Sequence, residues 1–298
     1  MNILTFENVS KKYRRGKSAL SNFTCTIEEN KIIGIIGRNG AGKSTFLKIA
    51  AGHMKPTHGD CRIFTHNPLN SLLVSANTIL IDDQLSFSDM FSLDDILKMG
   101  KDFYPNWQED LAYRLLTYAG LSRSSKHAEL SKGQLATFNL IYGLVSRCKL
   151  TLLDEPMNGM DEAIRTDFYR AILKEYIAYP RTILISSHHL HELEAIVEEI
   201  ILIDEGTVVE HTSVEDLKQL LVALHGPADD VHRIISGATI YQEKTVGPHT
   251  SVIIEAKSLF IDEQQLKALD IRIQCLTASE VCMYSTAKGG GVIDDVFK

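Results

Sequence analysis

Apolar residues cluster over Ile3 to Val9 and Phe23 to Ile27, so both segments are expected as strands, with Glu29-Asn30 as a turn. Lys31 to Gly37 is a short apolar run ending in glycine, and a helix is expected from Gly42 through Phe46, Leu47, Ile49 and Ala50. From about Gln84 to Arg147 the pattern turns helical. Ser92 with Asp95 has the spacing of a capping box, Leu111, Leu115 and Tyr118 recur at helical intervals between Trp107 and Ala119, and Leu135, Phe138, Ile141 and Val145 do the same. Strands then return at Leu150–Leu153 and Thr182–Ile185, alternating with helices expected over Asp161–Ala178 and Leu190–Glu198. Ile200–Ile203 and Thr207–Glu210 flank Glu205-Gly206, a hairpin signal. Strands alternating with helices predict an α/β fold with a largely parallel sheet.

Ser213 to Leu224 reads as a capped helix, and His225-Gly226-Pro227 is the expected domain boundary. The remainder reads as a small α/β domain. Strands are expected near Ile240, Val252–Glu255 and Ile271–Cys275, a helix near Glu263–Leu269, and a break at Gly289-Gly290-Gly291. The implied domains are 1–224, with a helical portion at about 85–148, and 228–298.

The 31 basic and 38 acidic side chains leave a net charge of -7, which gives no electrostatic case for wrapping nucleic acid. The longest charge-free stretch, Ile63 to Ile81, is too polar to cross a bilayer, and the first ten residues lack the apolar run of a signal peptide. The five cysteines form no CxxC and read as thiols of a reducing compartment.

Gly37-Arg38-Asn39-Gly40-Ala41-Gly42-Lys43-Ser44-Thr45 fits the phosphate-binding pattern G-x-x-x-x-G-K-[ST]. Glycines let successive backbone N–H groups face a phosphate chain, and the following helix aims its positive end at the same anion. Lys43 would reach the outer phosphates of ATP and Ser44 would offer its hydroxyl to Mg²⁺. Chance produces such a match on the order of 1% of the time in a chain this long. The apolar strand Leu150–Leu153 ends in Asp154-Glu155. After a phosphate-binding loop, the first acid suits Mg²⁺ and the second a general base.

These motifs in this order, with Leu130-Ser131-Lys132-Gly133-Gln134 ahead of the carboxylate pair, resemble the ATP-binding subunit of ATP-binding-cassette (ABC) transporters. LSKGQ is similar to the family signature LSGGQ, with Lys132 in place of a glycine. The resemblance covers roughly residues 2–220. It implies a P-loop NTPase core with an antiparallel β subdomain and a helical subdomain. It also implies two cassettes sharing each ATP: one supplies Gly37, Asn39, Gly40, Ala41, Gly42, Lys43, Ser44 and Thr45, the other its signature residues Ser131, Lys132, Gly133 and Gln134. Lys132 is either solvated or adds charge near phosphate. Glu155 is then the base, Asp161 of the D-loop speaks across the dimer, His188 meets the γ-phosphate, and Tyr13 stacks on adenine. For the residue linking Mg²⁺ to the membrane partner, Gln84 fits by type and Asp82 by spacing.

The expected chain is an ATPase subunit on the cytoplasmic face of a membrane, partnered by a permease and by a second cassette, identical or homologous. The single cassette with a short C-terminal domain resembles exporters of drugs, peptides or lipids, and that domain resembles accessory domains that support dimerisation. A soluble ABC-type ATPase acting on ribosomes or DNA would ordinarily carry two cassettes or a long coiled-coil insertion, and neither is present. A GTPase would carry N-K-x-D, whereas Asn30-Lys31-Ile32-Ile33 lacks the acid.

Overall fold

The computed structural model describes residues 1–13, 16, 18–188, 190–259, 261 and 263–286. The chain opens with β1 (Asn2–Lys12), β2 (Ser18–Glu28), β3 (Ile32–Ile36), α1 (Lys43–Ala50), β4 (His58–Ile63), α2 (Leu72–Asn77) and β5 (Thr78–Ile81). A helical stretch follows: α3 (Leu93–Phe103), α4 (Glu109–Tyr118) and α5 (Lys132–Val145). Then come β6 (Leu150–Asp154), α6 (Glu162–Ala178), β7 (Thr182–Ser187), α7 (Leu190–Leu193), β8 (Glu199–Asp204) and β9 (Thr207–Ser213). The last elements are α8 (Val214–Lys218), β10 (Leu221–Pro227), α9 (Ala228–Ile234), β11 (Ile240–Val246), β12 (His249–Glu255), α10 (Glu263–Ala268), β13 (Arg272–Cys275) and α11 (Ala278–Ser285). Two compact units divide between His211 and Thr212.

In the first unit, β1 pairs antiparallel with β2 and β4. A second sheet has the order β5-β6-β7-β3-β8-β9, with parallel pairing from β5 through β8. β3 and β7 are buried along their whole length, as expected of strands covered on both faces. Helix α1 is buried at six of its eight positions, and its Phe46 ring lies 4.9 Å from Phe6 and 5.1 Å from Phe23. One core therefore runs from the antiparallel sheet through α1 to Ile33, Ile35, Leu152 and Leu184.

Register controls what meets at the sheet's carboxyl edge. Ile81 lies beside Leu153, Asp154 beside Ser186, and Ile36 beside Ser187. The loops after β5, β6, β7 and β3 thus emerge side by side, the usual place for a ligand in an open α/β sheet. The helical portion has its own aromatic core. Phe87, His127, Phe138 and Tyr142 meet edge-on or tilted, and Trp107 packs 5.1 Å from Tyr142.

The second unit is a four-stranded antiparallel sheet, β11-β12-β10-β13. Leu224, Val252 and Ile254 pack on one face with Val231 of α9 and Leu266 of α10.

Three sequence expectations need correction. The helix expected over Leu190–Glu198 stops at Leu193, because the chain must turn to enter β8 at Glu199. Ser213 does cap a helix, accepting from the Asp216 amide at 3.0 Å, but α8 ends at Lys218. Leu221–Leu224 joins β10 instead, held by ladders to β12 and β13 on both sides, a case of tertiary pairing deciding a short apolar run. The boundary expected at His225-Gly226-Pro227 consequently falls inside a strand. Gly289-Gly290-Gly291 lies outside the described residues.

Candidate functional site

The loop after β3 is shaped by close approach. A Cβ on Gly37 would stand 2.3 Å from the Ile203 carbonyl oxygen. Gly42, at φ 117°, caps α1 in a conformation closed to other residues, and a Cβ there would meet Ala19 O at 2.6 Å. The β8–β9 turn braces the loop, since the Gly206 amide donates to Ala41 O at 2.8 Å. Arg38, Asn39 and Gly40 are exposed, as is Ser44 on the first turn of α1. Lys43, by contrast, is buried. Its ammonium donates to Gly37 O at 2.7 Å and lies 3.2 Å from Glu155 Oε1. Tyr13 stands beside this turn with its ring half-exposed and its hydroxyl 3.2 Å from Thr45 Oγ1.

Asp154 and Glu155 share one anchor. The buried Ser186 hydroxyl donates to Asp154 Oδ1 at 2.6 Å and accepts from the Glu155 amide at 2.9 Å. Glu155 has φ 48°, a left-handed conformation that a non-glycine residue holds only when its surroundings enforce it. The enforced carboxylate reaches Lys43 through Oε1 and His188 Nδ1, 3.0 Å away, through Oε2. Glu155 is thus the centre of a Lys43–Glu155–His188 chain.

Asp82 and Gln84 separate on geometry. Lys48 holds both, with Nζ 3.3 Å from Asp82 Oδ2 and donating to Gln84 Oε1 at 3.0 Å. Asp82, however, lines a cavity of about 410 Å³ together with Ser44, Asp154 and Glu155, and Gln84 does not. Lys132, Asn139 and Asn158 line it too. The hydroxyl and carboxylates of Ser44, Asp154 and Asp82 are hard oxygen donors of the kind Mg²⁺ takes beside substrate phosphates. Among the described residues no group of three or more His, Cys, Asp or Glu gathers as a metal site, so His188 and His191 make no such cluster, and His189 lies outside the described residues.

Ser131 and Gln134 form a reciprocal capping box at the start of α5, at 3.0 and 3.3 Å. Gly133 is required by the D-loop of the same chain, because a Cβ there would stand 2.5 Å from Gly159 O. The Lys132 stem lies over Gly159 from the other side. Asp161 caps α6 by accepting from the Ile164 amide at 3.0 Å. Sequence reasoning missed Ser186 and Asn139. Asn139 accepts through Oδ1 from the buried His127 Nε2 at 2.8 Å and donates through Nδ2 to Leu85 O at 3.4 Å, joining the segment before the signature to the one after β5. A serine two residues before His188 was visible, but its partner was not.

Among the described residues no helix is long and apolar enough to cross a membrane. Residues 20–158 match the family model described as ABC transporter. ABC transporter ATP-binding protein YtrB of Bacillus subtilis is 26% identical over 257 residues, which cover 85% of this chain and 88% of that protein. Aliphatic sulfonates import ATP-binding protein SsuB 1 of Paraburkholderia xenovorans is 30% identical over 203 residues, covering 67% of this chain and 57% of that protein. A solved dimeric ATP-binding cassette, in a post-hydrolysis state with ADP and Pi, shares the fold: TM-score 0.62, 21% identity, 70% of this chain and 98% of the other covered. Residues 20–158 thus carry the domain of ABC transporters, and these likenesses support an ATP-hydrolysing, nucleotide-binding subunit of that kind.

Proposed function

We propose that the Lys43–Glu155–His188 chain is the hydrolytic centre of this ATPase. The carrying observation is the Glu155 carboxylate, forced into place by its left-handed backbone and set 3.2 Å from Lys43 and 3.0 Å from His188. When ATP enters, Lys43 exchanges its internal partners for phosphate oxygens, and backbone amides from Gly37 to Thr45 line the phosphates. Glu155 then takes the proton of the attacking water, and His188 holds the γ-phosphate from the β7 side. Tyr13 offers its half-exposed ring to adenine. Mg²⁺ would be held by Ser44 and Asp154, with Asp82 rather than Gln84 facing it, and would offset phosphate charge.

Ser131 and Gly133 at the start of α5 meet the ATP of a second cassette, where the helix terminus adds its positive end. Asp161 reports across that interface. The described helices include none that crosses a bilayer, so the work of hydrolysis passes to a membrane permease on whose inner face the subunit sits, through the helical portion 85–148. The C-terminal unit supports pairing of the cassettes. The cargo direction is export. What supports export is the single cassette followed by a short C-terminal unit, an arrangement that resembles exporter subunits.

The test is tagged Glu155→Gln protein, purified for turnover and then used with Mg-ATP to capture partners from detergent-solubilised native cells. Retained ATP binding, lost hydrolysis and a co-purifying polytopic permease support the reading. Hydrolysis at the wild-type rate removes Glu155 as base. Recovery of ribosomes and no membrane protein removes the transport role. Reconstitution with the permease in vesicles then reads direction, and ATP-driven uptake toward the side holding this chain would overturn export.

A further inference from the structure

The second unit has a polar sheet face that the hydrolytic reading leaves unused. Register sets Lys244 of β11 opposite Ser251 of β12, Ser251 opposite His225 of β10, and His225 opposite Arg272 of β13. Directly opposed residues share a face, so these four form one row across the whole sheet. His249 lies two positions from Ser251 and faces the same way. The row and His249 line a concavity of about 320 Å³, to which Asp270 brings the one carboxylate among the described lining residues.

Lys244 and Arg272 close the two ends of this row, in a chain that carries net charge -7 overall. Ordinary surface design would interleave acids here. Asp270 aside, the nearby acids are engaged elsewhere: Glu243 pairs with His232 at 2.8 Å, and Glu255 with Lys257 at 3.0 Å. Among the described residues no carboxylate pairs with Lys244, His249 or Arg272. His225 is anchored by Gln274 at 3.1 Å, so the centre of the row is fixed.

We propose that this concavity is a binding site for a small anion carrying more than one phosphate group, free or as a lipid headgroup. Its size lies at the lower end of small-molecule sites, and it is a pocket rather than the long stripe that a nucleic acid needs. Lys244 and Arg272 sit three strand spacings apart, about 14 Å between backbones, so their long side chains converge on the pocket from opposite edges. Such an arrangement suits two separated anionic groups. The Arg272 fork matches phosphate geometry, Lys244 supplies a point charge, and the Ser251 hydroxyl donates between them.

The test uses the full chain with its P-loop filled by saturating MgADP. Pyrophosphate is titrated by calorimetry, and in parallel the protein is sedimented with phosphatidylcholine vesicles with and without cardiolipin, whose headgroup carries two phosphates. Saturable pyrophosphate binding that weakens at least about tenfold in Lys244→Gln/Arg272→Gln, a change of ~1.4 kcal/mol, and persists in Lys43→Ala, supports a free-anion site. Binding confined to cardiolipin vesicles, and lost in the same double variant, assigns the headgroup. Both substituted side chains are exposed, so the variant is expected to fold. Equal binding by the double variant, or none to either probe, overturns the proposal.

Discussion

Replacing Ser186 by alanine isolates the anchor beneath the two carboxylates. The lost hydroxyl donates to Asp154 at 2.6 Å and accepts from the Glu155 amide at 2.9 Å, in a position with no solvent exposure. Alanine fits the same space but leaves that amide unpaired, which costs about 1–3 kcal/mol for a buried group. Glu155 also carries about 1–2 kcal/mol of left-handed backbone strain, which the amide anchor opposes. Relief of ~1.4 kcal/mol of that strain draws the carboxylate out of place in about nine molecules of ten, so kcat should fall about tenfold. ATP affinity should not fall, because Lys43, Gly37 and Gly42 are untouched, and it should rise modestly as the displaced Glu155 releases Lys43. Tm should drop by roughly 4–8 °C for ~2 kcal/mol lost. A coupled ATPase assay, a fluorescent-nucleotide titration and a thermal melt read the three quantities. Ser186→Thr, which keeps a hydroxyl, should recover much of the rate. A lowered Tm with kcat within about twofold of wild type would refute the reasoning, since Glu155 would then hold its position without the anchor.

Two further outcomes follow from the geometry. Asp82→Asn should raise the Mg²⁺ concentration needed for half-maximal turnover by about tenfold, while Gln84→Ala should change it little; the reverse order would return the role to Gln84. Burial pushes the Cys61 thiol up to about 12 and Cys148 up to about 11, and Cys25 further still, so these remain protonated and unreactive at pH 8. Maleimide labelling of native protein followed by peptide mass spectrometry should therefore mark the exposed Cys275 first, and early labelling of Cys61 would contradict the burial.

The parts of the site that could be read from the chain are those written in consecutive residues. Gly37 to Thr45 is one loop, Asp154-Glu155 one strand end, and each needs only its own neighbours to be recognised. Ser186 was hidden because its role depends on β6 and β7 lying in parallel register, a relation between residues more than thirty positions apart. The same holds for Gly133, whose requirement is set by Gly159 O, and for Asp82 against Gln84, where Lys48 takes both and the cavity wall takes one. In the fold, capping signals survived well: Ser92 and Ser213 both start helices. What failed was a four-residue apolar run, Leu221–Leu224, which carries no period long enough to tell helix from strand. Two neighbouring strands made that choice.

Lys43 and Glu155 are counter-ions of one another before any nucleotide arrives. The free energy of ATP binding therefore contains the work of parting them. A Glu155→Gln chain has no such work to do, since an amide makes no ion pair with the ammonium. Its affinity for ATP should exceed that of the wild type even in a monomer that never reaches a dimer. Tight nucleotide retention in that variant is then partly a property of the empty site, which has lost its internal competitor, and only partly a sign of stalled chemistry.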